Sequence, residues 1–540
     1  MRIFCFLSFA FCLLPSILSF SQTNQNLTLF RERNLMLEKY LNGKDYNTHT
    51  SLRPFINSSE LQVISDSIQM SMKRRSDTLL RSSNLMQNGS RNRISVTGLF
   101  DACIGYEQST KSDTKLQPAG GLMFELNLKE KITFSSTFIS GNSAFPAHIN
   151  TFINYTDVVP GIGSAYLSKN GFSYQYYAGY LSYSPNKTFN FQAGKDKNFF
   201  GDGYRSLFLS DVSNSYPFLK VSTTVWKLKY VSLFTWMKDV TNPSHLKKDF
   251  LNKYGTFHYI SWNVSKRFNV ALFESIIWQG TDSNRVRNYE VNYLNPVIFF
   301  RPVEYSLGSS DNACLGASFK IKVGERYRQQ FYGQIILDEF LLKEVLAIFK
   351  KLAHPTDPSI KYGWWANKQG LQFGFKSFDL FTMKNLIFQT EINAVRPYTY
   401  THGSVQQNYA HYNQPLAHPL GANFAESVSF LNYQHKKWLF ETEFLYAMYG
   451  KDENGKNYGQ NIFESYSTHP NEYGNKFFQG LKTNLLYTKL KIGYYFIPTA
   501  NLIAEAGVAV RQEKNSVSSV GSNFIFIGIK TGIMNRYSDF

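Results

Sequence analysis

From Arg93 onward the chain alternates between apolar and polar positions. Phe124-Glu-Leu126-Asn-Leu128-Lys is one such run, and Leu386-Ile-Phe388-Gln-Thr390-Glu-Ile392-Asn another. The pattern holds from Trp438 to Met448 and from Leu486 to Tyr494. A period of two predicts strands with one apolar and one polar face. Runs of about ten residues suit strands that cross a bilayer. Turn residues separate them at Ser184-Pro185-Asn186-Lys187, Lys451 to Gly455 and Ile497-Pro498-Thr499. At roughly 22 to 28 residues per strand and connection, 93–540 predicts about 18 antiparallel strands. The expected fold is all-β: a transmembrane outer-membrane barrel, whose closure satisfies its own backbone hydrogen bonds in lipid. The final NFIFIGIKTGIMNRYSDF reads as the last strand, with Phe540 as its closing aromatic.

Two other segments have a helical period. Within 22–92, Leu61, Ile64, Ile68 and Met72 recur at three and four, and Ser58-Ser59-Glu60 and Ser76-Asp77 are N-cap candidates. This predicts two or three short helices in a small periplasmic region. Ile335 to Leu352 predicts one further helix, packed at a barrel mouth.

The first 21 residues read as a secretory signal peptide. Arg2 is the positive start, Ile3 to Leu18 the apolar core, and Ser19-Phe20-Ser21 the cleavage site before Gln22. Cys5 and Cys12 leave with it, so Cys103 and Cys314 are the remaining thiols, and whether they pair is open.

Composition agrees with the barrel. The chain has 35 Tyr, 47 Phe and 7 Trp, at a mean hydropathy of only −0.29. Lipid-facing and lumen-facing positions in equal measure, with aromatic girdles, produce that balance. The net charge is +18, with its densest patch at Lys73-Arg74-Arg75, followed by Arg81, Arg91 and Arg93. No nucleic-acid-binding module accompanies it. A basic lumen or rim favours anionic lipopolysaccharide or acidic polysaccharide instead.

Candidate chemistry concentrates in two clusters. YAHYNQPLAHPLGAN, Tyr409 to Asn423, has almost no aliphatic filler. Catalysis finds neither a GxSxG nor a nucleophile–base spacing here, although His402, His411 and His418 are close in sequence. A metal site would need His411, His418, Asn423 and Glu426 to converge, and HExxH spacing is absent. The expectation is therefore no enzyme, no metal and no cofactor. Tyr409, His411, Asn413, Gln414, His418, Asn423 and Glu426 do carry the groups that hold sugars: planar rings, imidazoles, amides and a carboxylate. A lumen-lining segment whose polar groups satisfy one another fits them equally. The second cluster, GKDKNFFGDGYRS, lacks P-loop spacing. Its Gly201-Asp202-Gly203 turn is expected to bring Lys195, Asp196, Asp202 and Arg205 into one charged lumen network.

At these clusters the chain resembles a known group. GKDKNFFGDGYRSLFLSD, the YPFL of Tyr216 to Leu219, HYNQPLAHPLGANFAE and the final NRYSDF look like Bacteroidetes outer-membrane proteins of the RemB gliding-motility type. That type is similar to the Wzi capsule-assembly family, which shares an N-Q-P-L…H-P-L-G-like stretch. The resemblance implies a barrel of about eighteen strands with a small periplasmic helical part, matching 22–92. It implies a lectin that holds capsular polysaccharide at the cell surface, with that role falling on His411, Asn413, Gln414, His418, Gly421 and Asn423. Expected partners are outer-membrane lipid and lipopolysaccharide, surface polysaccharide, and gliding or secretion machinery. The alternatives are a motility or adhesion component acting through protein partners, and a diffusion pore.

Overall fold

The structure is a computed structural model, and it describes residues 24–72, 84–86, 92–109, 112–240, 250–282, 285–296, 311–324, 328–339 and 341–540. The signal-peptide reading, the basic patch from Lys73 to Arg91 and the Ser76-Asp77 cap lie outside these residues.

Eighteen antiparallel strands close into a barrel. In chain order they are β1 (Arg93–Gln108), β2 (Asp113–Leu128), β3 (Ile132–Ser143), β4 (Gly171–Tyr183), β5 (Phe189–Asp196) and β6 (Tyr216–Val225). There follow β7 (Leu228–Asp239), β8 (Leu251–Asn263), β9 (Phe268–Gln279), β10 (Asn312–Val323), β11 (Gln329–Leu337) and β12 (Gln369–Phe378). The last six are β13 (Leu386–Val395), β14 (Phe424–His435), β15 (Trp438–Lys451), β16 (Leu481–Ile497), β17 (Leu502–Lys514) and β18 (Ser519–Thr531). Each strand pairs with its neighbours in sequence, and β18 closes on β1 from Asn523↔Gln108 to Lys530↔Asp101. Among the described residues no helix is long and apolar enough to cross a membrane.

The alternation is inside-out. On β15, Trp438, Phe440, Phe444 and Tyr446 face outward and exposed, while Glu441 and Glu443 are buried on the inner face. On β18, Ile525, Ile527 and Ile529 form an exposed apolar row. This is the arrangement of a strand between lipid and a polar lumen. Cys103 on β1 and Cys314 on β10 are unpaired.

The two ends differ. At one end the strands join through short turns. At the other they join through long loops, including 144–170, 197–215, 338–368, 396–423 and 452–480. Helix α1 (Arg31–Leu41) and helix α2 (Ser59–Met72) lie toward the short-turn end. Their apolar side chains pack with Phe378, Ile387, Leu439, Tyr495 and Ile503 of the wall. The stretch from Asn24 to Asn57 enters the lumen instead of standing apart as a domain. Leu52 and Arg53 pair with Phe200 and Phe199, and α1 is buried even at Arg31, Glu32 and Arg33. Helix α3 (Ala147–Thr156) belongs to a long loop.

Two expectations are corrected. The helix expected over Ile335 to Leu352 is α4 (Leu342–Ala353), and Ile335 to Leu337 complete β11. An apolar run ending one element and starting the next hid the break, which falls at Asp338, whose carboxylate binds Tyr400 N at 2.7 Å. Nor does Phe540 finish a strand. β18 ends at Thr531, and the last nine residues turn back into the lumen, where the Phe540 ring sits 5.1 Å from Phe152.

An outward lysine on β18 therefore meets hydrocarbon. Ile525→Lys is expected to lower the unfolding free energy in lipid vesicles by about 2–4 kcal/mol, read from urea titrations. An unchanged midpoint would contradict a lipid-facing position.

Candidate functional site

The loop 396–423 folds into the lumen and carries the histidine-rich motif. Ala410 and His411 pair with Gln414 and Pro415 across a two-residue turn. Tyr412 and Asn413 form that turn with φ of 53° and 50°, the left-handed geometry a tight hairpin of this kind requires. Asn423 (φ 55°) and Gly421 (φ 72°) turn the chain again before β14.

Every motif side chain singled out above is engaged by protein. Tyr409 donates to Phe208 O at 2.6 Å. His411 accepts from Lys238 N at 3.0 Å and faces Ser215 O at 3.4 Å, so its Nε2 carries the proton. Asn413, half-buried, donates to Thr156 O at the end of α3. Gln414 accepts from Gly161 N at 2.6 Å. Asn423 donates to Gly450 O and Gln479 O and accepts from Phe478 N. His418 stacks on Phe424 with ring centres 4.1 Å apart. It accepts from Leu420 N, so Nε2 donates to Glu426, at 2.9 Å. Apart from Asn413 these groups are 0–2% exposed. The loop is thus tied to 144–170, to 197–215 and to 452–480.

The expected single charged network is divided. Arg205 binds Glu426 at 3.0 Å and Asp539 of the C-terminal tail at 2.8 Å. The backbone N–H groups of Tyr204 and Arg205 both donate to Glu391. Asp202 lies with Thr50 (2.6 Å) and Lys320 (3.3 Å). Burial alone would raise its pKa, but Lys320, the Thr50 hydroxyl and Lys376 bring it below the ordinary value. Asp196 accepts from Lys197 N. Lys195 and Asp196 are adjacent on β5 and so point to opposite faces. A strand cannot deliver both to one network.

The residues that complete these networks come from far away in the chain. Asp211 accepts from Tyr537 at 2.6 Å and from Asn535 at 2.9 Å. Asn535 in turn accepts from Arg31 N. Arg31 reaches Glu441 at 3.2 Å, and Lys491 bridges Glu32 and Glu441. Lys376 pairs with Glu38. The N-terminal segment, two long loops and the C-terminal tail therefore form one plug bonded to the wall. Cavities of about 560 Å³, beside Gln25, Arg33 and Glu125, and about 260 Å³, beside His148, Lys489 and Arg511, flank it.

The long-loop mouth carries a different surface, which the sequence reading missed. Trp365 N donates to Glu472 O, Gly474 N to Tyr362 O and Asn475 N to Gly363 O, knitting loop 338–368 to loop 452–480. Gly363 has φ 69° and its Cβ position would meet Asn475 backbone at 2.7 Å, so only glycine admits this approach. Trp365 stacks on His469 at 4.4 Å and lies 4.8 Å from Tyr466. Trp364 is 6.1 Å from Trp365, and Lys361 lies 5.7 Å over Tyr473. Tyr362 and Tyr473 remain 41% and 38% exposed, with Asn471 and Glu472 exposed beside them. The result is a held ledge of rings with a polar rim. Its signal in the sequence was YGWW and NEYG, aromatic residues gathered outside any alternating run.

No protein-family model matches the sequence, and no curated protein matches it. Among solved structures the chain is similar to Wzi of Escherichia coli, described as an outer membrane protein involved in group 1 capsule assembly and a carbohydrate-binding β-barrel. Identity is 12% over 95% of this chain and 100% of that one, with a TM-score of 0.52. It is also similar to OprD of Pseudomonas aeruginosa (8% identity, 80% and 94% of the chains, TM-score 0.40). OpdK of the same organism, solved with vanillate, gives 8%, 81% and 97%, and 0.43. The likeness to Wzi is one of fold, and the barrel fold matches outer-membrane proteins.

Burial fixes the charge state of the plug's histidines. It pushes His411 and His148 down to about 3, and His402 to about 4. An unfolded histidine titrates near 6.5. The unfolded chain then binds protons that the folded chain refuses, so stability is present above about 6.5 and is lost as pH falls toward 4. Each such histidine contributes a slope of about 1.4 kcal/mol per pH unit in that window. His411→Gln is expected to flatten the fall in unfolding free energy between pH 6.5 and 4 by that amount. An unchanged slope would contradict a buried neutral His411.

Proposed function

We propose that the chain is an exported outer-membrane barrel that holds surface polysaccharide at its long-loop mouth, in the manner of a Wzi-type lectin and without catalysing a reaction. Short turns face the periplasm and long loops the exterior in such barrels, so on this reading the short-turn end, toward which α1 and α2 lie, faces the periplasm. The observation that carries the reading is the contrast between lumen and mouth. The lumen is crossed by buried, mutually bonded polar groups, whereas the mouth presents held aromatic rings beside the exposed Lys361, Asn471 and Glu472. Pyranose rings present C–H faces to aromatic planes and hydroxyls to amides and carboxylates. Wzi is itself described as a carbohydrate-binding barrel involved in capsule assembly. On this reading Tyr409, His411, Gln414, His418, Asn423 and Glu426 act from beneath, by fixing the loops that frame the ledge. The plug speaks against a diffusion pore.

The test compares cell-bound with shed polysaccharide in a deletion strain complemented with wild type or with Tyr362→Ala/Trp364→Ala/Tyr473→Ala. The triple variant is expected to insert normally and to shed, with purified polysaccharide bound about five- to tenfold more weakly for each ring removed. Retention equal to wild type would overturn the reading. Normal retention with impaired surface spreading would favour a motility role instead.

A further inference from the structure

Exposed lysines occur at both ends, but in the short turns they are barely balanced by acids. Every short turn from β2–β3 to β14–β15 carries at least one lysine or arginine. Lys129, Lys131, Lys187, Lys266, Arg267 and Lys436 are exposed there. Among the described residues of these turns the acids are Glu130 and Asp379, and Asp379 is already bound by Lys39 at 2.7 Å. At the long-loop end the charges are mixed. Lys343, Lys350 and Lys456 share it with Glu344, Glu464 and Glu472.

Large rings lie in or beside the basic turns: Trp226 and Phe381 within them, Trp262 and Trp438 at the adjoining strand ends. Trp226 is 76% exposed and Phe381 81%, and Trp262 and Trp438 are 42% and 45% exposed. Lys227 lies 5.2 Å over the Trp226 ring. Aromatic rings mark the depth of a bilayer's interface, where their amphipathic edges meet the headgroups. A cation next in sequence to such a ring is then at headgroup depth.

We propose that this rim is a binding belt for the headgroups of anionic phospholipids in the leaflet that surrounds the short-turn end. Positive charge at that depth is attracted to an anionic lipid surface. A soluble acidic partner would use the lysines but would have no need of rings directed into the bilayer. The belt is interrupted at the β16–β17 turn, Pro498 to Asn501, which has no charge.

The measurement is native mass spectrometry of the full-length barrel in detergent, titrated with phosphatidylglycerol or phosphatidylcholine. Wild type is expected to retain phosphatidylglycerol preferentially. Lys129→Gln/Lys131→Gln/Lys266→Gln/Arg267→Gln is expected to lower that retention at least about tenfold. Lys169→Gln/Lys343→Gln/Lys350→Gln/Lys456→Gln, with the same net charge, is expected to keep it. The heat-dependent gel shift of a folded barrel verifies both variants. Equal retention of the two lipids, or equal loss in the two variants, overturns the proposal. Full displacement by glycerol phosphate at constant ionic strength also overturns it, by assigning the rim to free phosphate.

Discussion

A buried guanidinium has to be paired, and Arg205 is where this barrel meets that demand. It is 1% exposed, with Glu426 of the wall on one side and Asp539 of the tail on the other. His418 shares the Glu426 carboxylate at 2.9 Å. The Arg205 backbone holds Glu391. One residue thus joins loop 197–215, strands β13 and β14, loop 396–423 and the C-terminus. Removing one partner of such a pair leaves an uncompensated buried charge, worth about 3–5 kcal/mol. An eighteen-stranded wall is wide enough to leave a water-filled channel. Here the chain uses its own ends and loops to occupy it.

That dependence explains what was legible in the sequence and what was not. The wall was legible because a lipid-facing strand writes itself locally. Gln389, Glu391 and Asn393 face inward between Phe388, Thr390 and Ile392, as their alternation predicts. The helical content of 22–92 was legible for the same reason. The plug was not, because its bonds join residues hundreds of positions apart. Arg205 and Glu426 are separated by 221 residues, and Arg205 and Asp539 by 334. Neither end of such a pair carries a mark of its partner. The tail misled for a related reason. Nothing local distinguishes Tyr537 and Asp539 as lumen ligands from the end of a strand. The motif from Tyr409 to Asn423 was recognisable as polar and unusual. Its hydrogen bonds to Ser215, Thr156 and Gly161 depend on two other loops, 197–215 and 144–170.

A lumen crossed by its own loops and termini bears on where function can reside. The plug occupies much of the interior and makes it a support for the loops above. The rings at the mouth are positioned by backbone bonds between loops, and those loops rest on Asn423, Arg396 and the plug below. Arg396 donates to Asn367 O at 2.8 Å, directly under the tryptophan pair. The opposite rim is basic and aromatic, suited to lipid. A single alternating wall therefore separates three environments, and each end has its own chemistry.

The functional reading rests on closure of the lumen by the plug. Planar-bilayer recording of the purified wild-type barrel tests it most directly. Insertion is expected to add no steady, voltage-independent conductance step, since the N-terminal segment, the loops and the tail are bonded across the lumen. A stable ohmic step on every insertion, of the size seen with open porins, would contradict the account and return the barrel to the class of diffusion pores.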